Sequence, residues 1–349
     1  MITVTKPEGE VKRKTIKPIP PWGQIALVSL FSIIGVLTRI GLEQIFLLDK
    51  TVTNVPIQRI VHTEQQKSPV YFDFWPNVLG CLLMGFIIKQ DFWLKKSIPS
   101  VYVGLTTGLC GSITTFSSWS YEATVVVFRQ EYTNYFLVLL IGYATCYATF
   151  ILGTHLALLL EVLRPNFYPQ PNSPGSEYQI HTEKMTIHVI HLSAVFLFLG
   201  AYITIIVLIC VYPNQLGVTQ SGVIWSILFA PFGAIVRFYF SQYNGDYKNY
   251  PLATYSVNIV GVCIVGALYI VRTAEGLTPT TSALISGISS GFCGCLTTVS
   301  SFISETYGMK ETTHQYRYVL STIITAQVIL LALFGIYYQA AHVPFIYIP

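Results

Sequence analysis

The sequence predicts an all-helical protein that crosses a membrane many times, on three observations. Of its 349 residues, 52% are hydrophobic and only 10% charged, with a mean hydropathy of +0.56; ordinary soluble domains carry roughly 25% charged residues. Uncharged stretches of about 20 residues, the length a helix needs to cross a bilayer, recur along the whole chain. The landmarks of the first half also return, in the same order, in the second.

The elements follow in order. Residues 1–21 are polar and carry Lys6, Lys12, Arg13, Lys14 and Lys17 with prolines close to the first apolar run, which reads as a cytoplasmic tail. They lack the form of a cleavable signal, because the run after them is long enough to span. Four spans follow within 22–163, at about Trp22–Leu48, Phe72–Ile88, Ile98–Tyr121 and Tyr135–Leu163. A polar, proline-rich linker from Arg164 to about His188 leads into a lone apolar run, His191–Val211, so that 164–213 forms a connector. Four more spans occupy 214–340, at about Val223–Phe240, Leu252–Val271, Ser282–Ser304 and Tyr318–Gln339, and 341–349 is a tail.

With nine crossings and the N-terminus inside, thirteen Lys and Arg fall in inner loops and five in outer ones, leaving aside Arg39 and Arg237 within spans. Positive residues gather on the cytoplasmic side, so the C-terminus is expected outside. A net charge of +4, without a basic run interleaved with aromatics, offers nothing to nucleic acid. The seven cysteines all fall in apolar segments and read as small core residues.

The repeat is dense. Gly35-Val36-Leu37-Thr38-Arg39 returns as Gly233-Ala234-Ile235-Val236-Arg237. Asn77, with Gly80 and Gly85, returns as Asn258, with Gly261 and Gly266. Gly108–Trp119 returns as Gly291–Phe302, each followed by a glutamate, Glu122 and Glu305. Two four-span repeats joined by one span place the second copy upside down in the membrane, an inverted repeat. The third span of each repeat has a centre of glycine, serine and threonine, which predicts a broken helix. Unwound backbone at membrane depth is tolerated where protein or a water-filled cavity satisfies it, and two facing breaks would point several carbonyls at one spot suited to a small cation.

The side chains around the breaks carry chemistry. Asn77 and Asn258 sit early in apolar spans. Each offers two N–H donors without a full charge, which suits a small anion that must also leave; the plain reading of either alone is an interhelical hydrogen bond. Phe116 and Trp119 share a helical face, and the positive edge of an aromatic ring can face a partly dehydrated anion. Arg39 and Arg237 would trap an anion in a pore, so they read as structural. Glu122 and Glu305 end the broken spans and read as salt-bridge or vestibule residues.

With these residues the chain resembles the fluoride channels of bacteria (Fluc, or CrcB) and their fused eukaryotic relatives, the FEX fluoride exporters. The resemblance rests on G-x-x-G-x-x-T-T-F-S-S-W, on Gly-x-x-x-Arg of the first span and on Asn of the second, and it covers most of the chain beyond its tails. It implies a fluoride-selective channel, not an enzyme, that passively exports F− across the plasma membrane, working as a single fused chain in place of an antiparallel dimer. It implies that Asn77 and Asn258 are pore residues, that Phe116, Trp119 and Phe302 occupy the phenylalanine-box positions beside Thr115 and Thr298, and that the backbone carbonyls of Gly111, Thr114, Gly294 and Thr297 hold a central structural Na+.

Two departures bear on the mechanism. Val299 stands at the first box position of repeat 2, and Trp119 at the second of repeat 1. Tyr318, Ser321, Thr322 and Thr325 form a hydroxyl stripe in the last span, whereas the corresponding Tyr135, Val138, Leu139 and Gly142 keep only the tyrosine. The two ancestral pathways are therefore expected to be unequal, with the better one along Ser321 and Thr325. The rival reading is an inverted-repeat secondary transporter of a small anion, coupled to H+ or Na+. It lacks a doubled ionisable group at the midplane other than the arginines.

Overall fold

A computed structural model describes residues 21–48, 73–90, 94–95, 97–163, 176–211, 218–246, 249–273 and 277–341. The tail and loop positions expected within 1–20, 49–72, 164–175 and 342–349 lie outside the described residues. Among the described residues every regular element is helical. In the first half these are α1 (Pro21–Leu48), α2 (Phe74–Lys89), α3, α4 (Phe116–Phe128) and α5 (Tyr132–Leu163). After α6 (Ser176–Val211) come α7 (Val218–Ser241), α8 (Leu252–Arg272), α9, α10 (Val299–Gly308) and α11 (Thr312–Ala341).

The two composite helices match each other. α3 starts as an α-helix at Pro99–Val103, widens into π-helical turns over Gly104–Cys110 and closes on Gly111–Ile113. α9 does the same over Pro279–Gly287, Ile288–Cys293 and Gly294–Leu296. Glycine every few residues weakens the α-helical preference here, and π turns interrupt helices most often at functional sites.

Among the described residues seven helical stretches are long and apolar enough to cross a membrane, where the sequence leads one to expect nine crossings. The difference has two causes. α2 has 16 residues, about 24 Å at the helical rise, slightly less than a hydrocarbon core. The third span of repeat 1 is split between α3 and α4, neither of which is long enough alone. The chain is thus a multi-pass membrane protein.

The connector also differs from expectation, since α6 begins at Ser176, well before His188. The prolines end at Pro174, and no helix breaker stands between Ser176 and the apolar run. α6 buries little: Leu192, Phe196, Leu197 and Ile203 are all exposed, the arrangement a lipid-facing helix requires. It meets α1, where Ala194 packs with Ala26 and Leu27 and the buried His191 ring meets Trp22 edge to face at 5.5 Å, and α7, where Tyr202 OH donates to Leu228 O at 2.9 Å.

The main core gathers α2, α4, α5, α8, α10 and α11 around Phe116, Trp119, Val299, Phe302 and Tyr318. A second, smaller core lies between α1 and α7, with Val28, Val36, Ala230 and Ala234 fully buried. Five of the seven cysteines are buried, while Cys210 is exposed and Cys263 half-buried; no group of three or more His, Cys, Asp or Glu among the described residues could hold a metal.

Candidate functional site

The site is built on two breaks that grip each other. Thr114 and Thr115 are extended, at φ −89°, ψ 147° and φ −140°, ψ 131°. Thr297 and Thr298 repeat this at φ −89°, ψ 155° and φ −154°, ψ 132°. Thr114 N and Thr297 N still close the preceding turns onto Cys110 O and Cys293 O, but Thr115 and Thr298 lie past the helix end, and their buried backbone groups need other partners. The two asparagines supply them. Thr115 N donates to Asn77 Oδ1 at 2.8 Å and Asn77 Nδ2 donates back to Thr115 O at 3.3 Å. Asn258 makes the same pair with Thr298, at 2.9 and 3.3 Å. Each amide therefore seals one break, and both asparagines are fully buried.

Hydroxyls then tie one break to the other. Thr114 Oγ1 lies 3.2 Å from Thr298 Oγ1, and Thr115 Oγ1 lies 3.2 Å from Thr297 Oγ1. Ser300 N donates to Thr114 Oγ1 and Ser117 N to Thr297 Oγ1, both at 3.2 Å. Exchanging the repeats turns each of these bonds into another one on the same list. α2 and α8 come close enough to make this possible because they carry glycine where the break packs: a Cβ at Gly80 would run into the Thr114 methyl, and one at Gly261 into the Thr297 methyl.

The arginines cross over. Arg39 of repeat 1 donates through Nη1 to Ser112 O at 3.2 Å and through Nη2 to Ser290 O of repeat 2. Arg237 of repeat 2 donates through Nη2 to Thr107 O at 2.5 Å, and through Nη1 to Gly111 O at 2.5 Å and Thr297 O at 3.2 Å. A Cβ at Gly111 would collide with the Arg237 guanidinium, and one at Gly294 with that of Arg39. These glycines are seats for guanidinium groups. The donor set named for sodium (Gly111, Thr114, Gly294, Thr297) therefore does not fit a resident ion, since two of its four carbonyls already accept from one buried cation.

The aromatics form one chain of ring contacts, Trp119–Phe116–Phe302–Tyr318. Phe116 and Phe302 meet edge to face at 5.7 Å, and Phe302 meets Tyr318 at 5.1 Å. Beyond them a polar line continues: the Tyr250 hydroxyl lies 2.7 Å from Ser321 Oγ, and Tyr255 donates to Thr325 Oγ1 at 3.2 Å. Thr322 is fully buried and bonds back to Tyr318 O at 2.7 Å, so its hydroxyl serves its own helix. On the other side, Trp119 gives its indole N–H to Val138 O at 3.2 Å, and Val299 is buried. The Phe pair leads through Tyr318 into the hydroxyl stripe, while Trp119, which also meets Phe116 edge to face at 5.6 Å, reaches Val138 on α5.

The glutamates differ too. Glu305 accepts from Tyr318 OH at 2.7 Å, Thr254 Oγ1 at 2.6 Å and Asn244 Nδ2 at 2.8 Å. In repeat 1 the position corresponding to Thr254 is Asp73, which is buried and hydrogen-bonded to Glu43 and Ser118. One end thus surrounds its carboxylate with donors, and the other adds carboxyls. Asn244, Tyr250, Thr254 and Tyr255 were not among the residues singled out from the sequence. Tyr255 stands three residues before Asn258, a spacing that shares a helical face. Asn244 lies in a short 3-10 turn outside the helices and left no pattern.

Comparison with known proteins converges on the same halves. The profile of a family described as CrcB-like protein, Camphor Resistance (CrcB), matches residues 26–154 and again 224–336. Fluoride export protein 1 of Candida albicans is 32% identical over 274 residues, covering 70% of this chain and 66% of that protein. Fluoride export protein 1 of Neurospora crassa is 26% identical over 357 residues, 84% of this chain and 62% of that protein. Fluoride-specific ion channel FluC of Haemophilus influenzae is 38% identical over 78 residues, 22% of this chain and 60% of that protein. The chain thus spans just under two thirds of the length of the two fungal relatives. No solved structure matches. With two matched regions that together make up more than half of its length, the chain belongs to the CrcB-like protein family.

Proposed function

We propose that this protein is a fluoride-selective channel that exports F− passively across the plasma membrane and carries its current mainly through one of two unequal pathways. The reading takes the chain as two inverted four-helix repeats, 22–163 and 214–340, joined by the connector within 164–213. α2 and the α3–α4 pair count as crossings, the N-terminus is cytoplasmic and the C-terminus extracellular. Relatives named as fluoride export proteins and as a fluoride-specific channel support the substrate.

One observation carries the choice of pathway: the Phe116–Phe302 pair and the Tyr318, Ser321, Thr325 stripe lie together. Fluoride binds water more tightly than larger halides do, so a pathway must replace that water stepwise. Ring edges present positive C–H groups to a partly dehydrated anion, and the Ser and Thr hydroxyls next to them can turn to donate. Neither holds a full charge, so the ion is drawn in without being trapped, as conduction requires. On the other route Val299 offers no ring edge, Trp119 spends its N–H on Val138, and Asp73 adds a carboxyl near the glutamate end.

The test is fluoride efflux from liposomes holding the purified full chain, measured beside chloride. A channel empties the vesicles of fluoride, leaves chloride behind and passes current too fast for a carrier cycle. Well-folded protein that moves no fluoride refutes the substrate. Fluoride flux that stops when proton and sodium gradients are clamped favours a coupled transporter instead.

A further inference from the structure

We propose that the guanidinium of Arg237 is the resident central cation of this fold, taking the place of a metal ion between the two breaks. Arg237 Nη1 lies 2.5 Å from Gly111 O in the first break and 3.2 Å from Thr297 O in the second. One nitrogen, with its two hydrogens, thereby holds a carbonyl of each repeat, which is the place a bridging ion would need.

The arginines depart from the exchange symmetry of the bonds that tie the breaks together. The asparagine amides, the threonine hydroxyl pairs and the Ser300 and Ser117 N–H groups keep their counterparts on exchange of repeats. Arg39 does not. The mirrored contacts of its Nη1 would run to Gly294 O and Thr114 O, yet it binds Ser112 O instead. Each guanidinium lies against a glycine, Arg39 at Gly294 and Arg237 at Gly111, but Arg237 Nη1 alone bridges the Gly111 and Thr297 carbonyls.

The charge balance differs in the same sense. Arg39 has a carboxylate companion, with Glu43 Oε1 3.7 Å from its Nε. Among the described residues no carboxylate lies within ion-pair distance of Arg237. Its charge is met by the dipoles of Thr107, Gly111 and Thr297 carbonyls, the way a carbonyl cage holds a small cation. A metal ion on the same oxygens would stand beside that guanidinium in a poorly screened interior, where like charges repel strongly. Gly111 fits the assignment, because a side chain there would displace the guanidinium and leave the carbonyls open.

The proposal is tested by thermal melting of the purified full chain, a readout that does not depend on whether fluoride permeates. The wild type is expected to melt at the same temperature in sodium and in N-methylglucamine, and to carry no stoichiometric sodium by elemental analysis. Arg237→Ala opens the seat, so its melting temperature should rise by about 3 °C or more on adding millimolar guanidinium, as a ligand bound to the folded state dictates. Arg39→Ala leaves the bridging position between Gly111 O and Thr297 O filled by Arg237 and should respond much less. A wild type that melts earlier without sodium, or that retains about one sodium per chain, overturns the proposal even if Arg237→Ala fails to fold. So does a folded Arg237→Ala chain as indifferent to guanidinium as the wild type.

Discussion

Phe116 and Phe302, one from each repeat, meet edge to face with their ring centroids 5.7 Å apart and both side chains fully buried. The corresponding pair on the other side, Trp119 and Val299, has lost one ring and committed the other to a backbone carbonyl. In the proposed channel this predicts unequal effects. Phe116→Ala or Phe302→Ala should lower fluoride efflux on the order of tenfold, the rate equivalent of about 1.4 kcal/mol at the barrier. Val299→Ala should leave efflux within a factor of about two. Equal losses from the two sides, measured in the same liposomes, would count against a dominant pathway.

The hydroxyl stripe makes a second, independent comparison. Ser321 and Thr325 each pair with a tyrosine of the α8 region, Tyr250 and Tyr255. Removing both hydroxyls with Ser321→Ala and Thr325→Val takes away about 1 kcal/mol of hydrogen bonding per group, so efflux and fluoride resistance should fall on the order of tenfold or more. Val138→Ala with Gly142→Ala alters the matching face of α5 and should do much less. Efflux measured on both double variants, at equal folded protein, decides it.

Most of this was legible in the sequence because it lies in paired landmarks. Glycine before two threonines marked both breaks, and Val299 marked the box position of repeat 2 that lacks a ring. Three things were not legible. The asparagines turn their amides onto the backbone of Thr115 and Thr298, and no local pattern says whether a buried amide will face an ion or a main chain. The crossing of the arginines is a long-range event, since Arg39 and Ser290 are 251 positions apart. The donors around Glu305 come from a turn, the start of α8 and α11, elements that meet only in the fold.

The asparagine seals predict a stability effect separable from conduction. Asn77→Ala leaves Thr115 N without its acceptor, and Asn258→Ala does the same to Thr298 N. An orphaned buried donor costs about 1–3 kcal/mol. The two variants should therefore melt lower by similar amounts, because the two seals have nearly the same geometry. Melting curves in detergent check this. A large difference between the two would show that one asparagine is held by something other than its break.

The guanidinium seats predict a coupling across the repeats. Gly294→Ala places a methyl group against the Arg39 guanidinium, which is buried and held by Ser112 O and Ser290 O. Overpacking of this kind costs about 1–3 kcal/mol. Shortening the arginine removes the clash, so Gly294→Ala with Arg39→Ala should be more stable than the sum of the two single losses implies. Groups in contact couple by about 0.5–3 kcal/mol in such cycles. The control pairs Gly294→Ala with Arg237→Ala, whose guanidinium sits at Gly111, and should come close to additive. Thermal melting of the six chains supplies every term. Coupling of Gly294 to Arg237 in place of Arg39 would mean that each arginine stays within its own repeat.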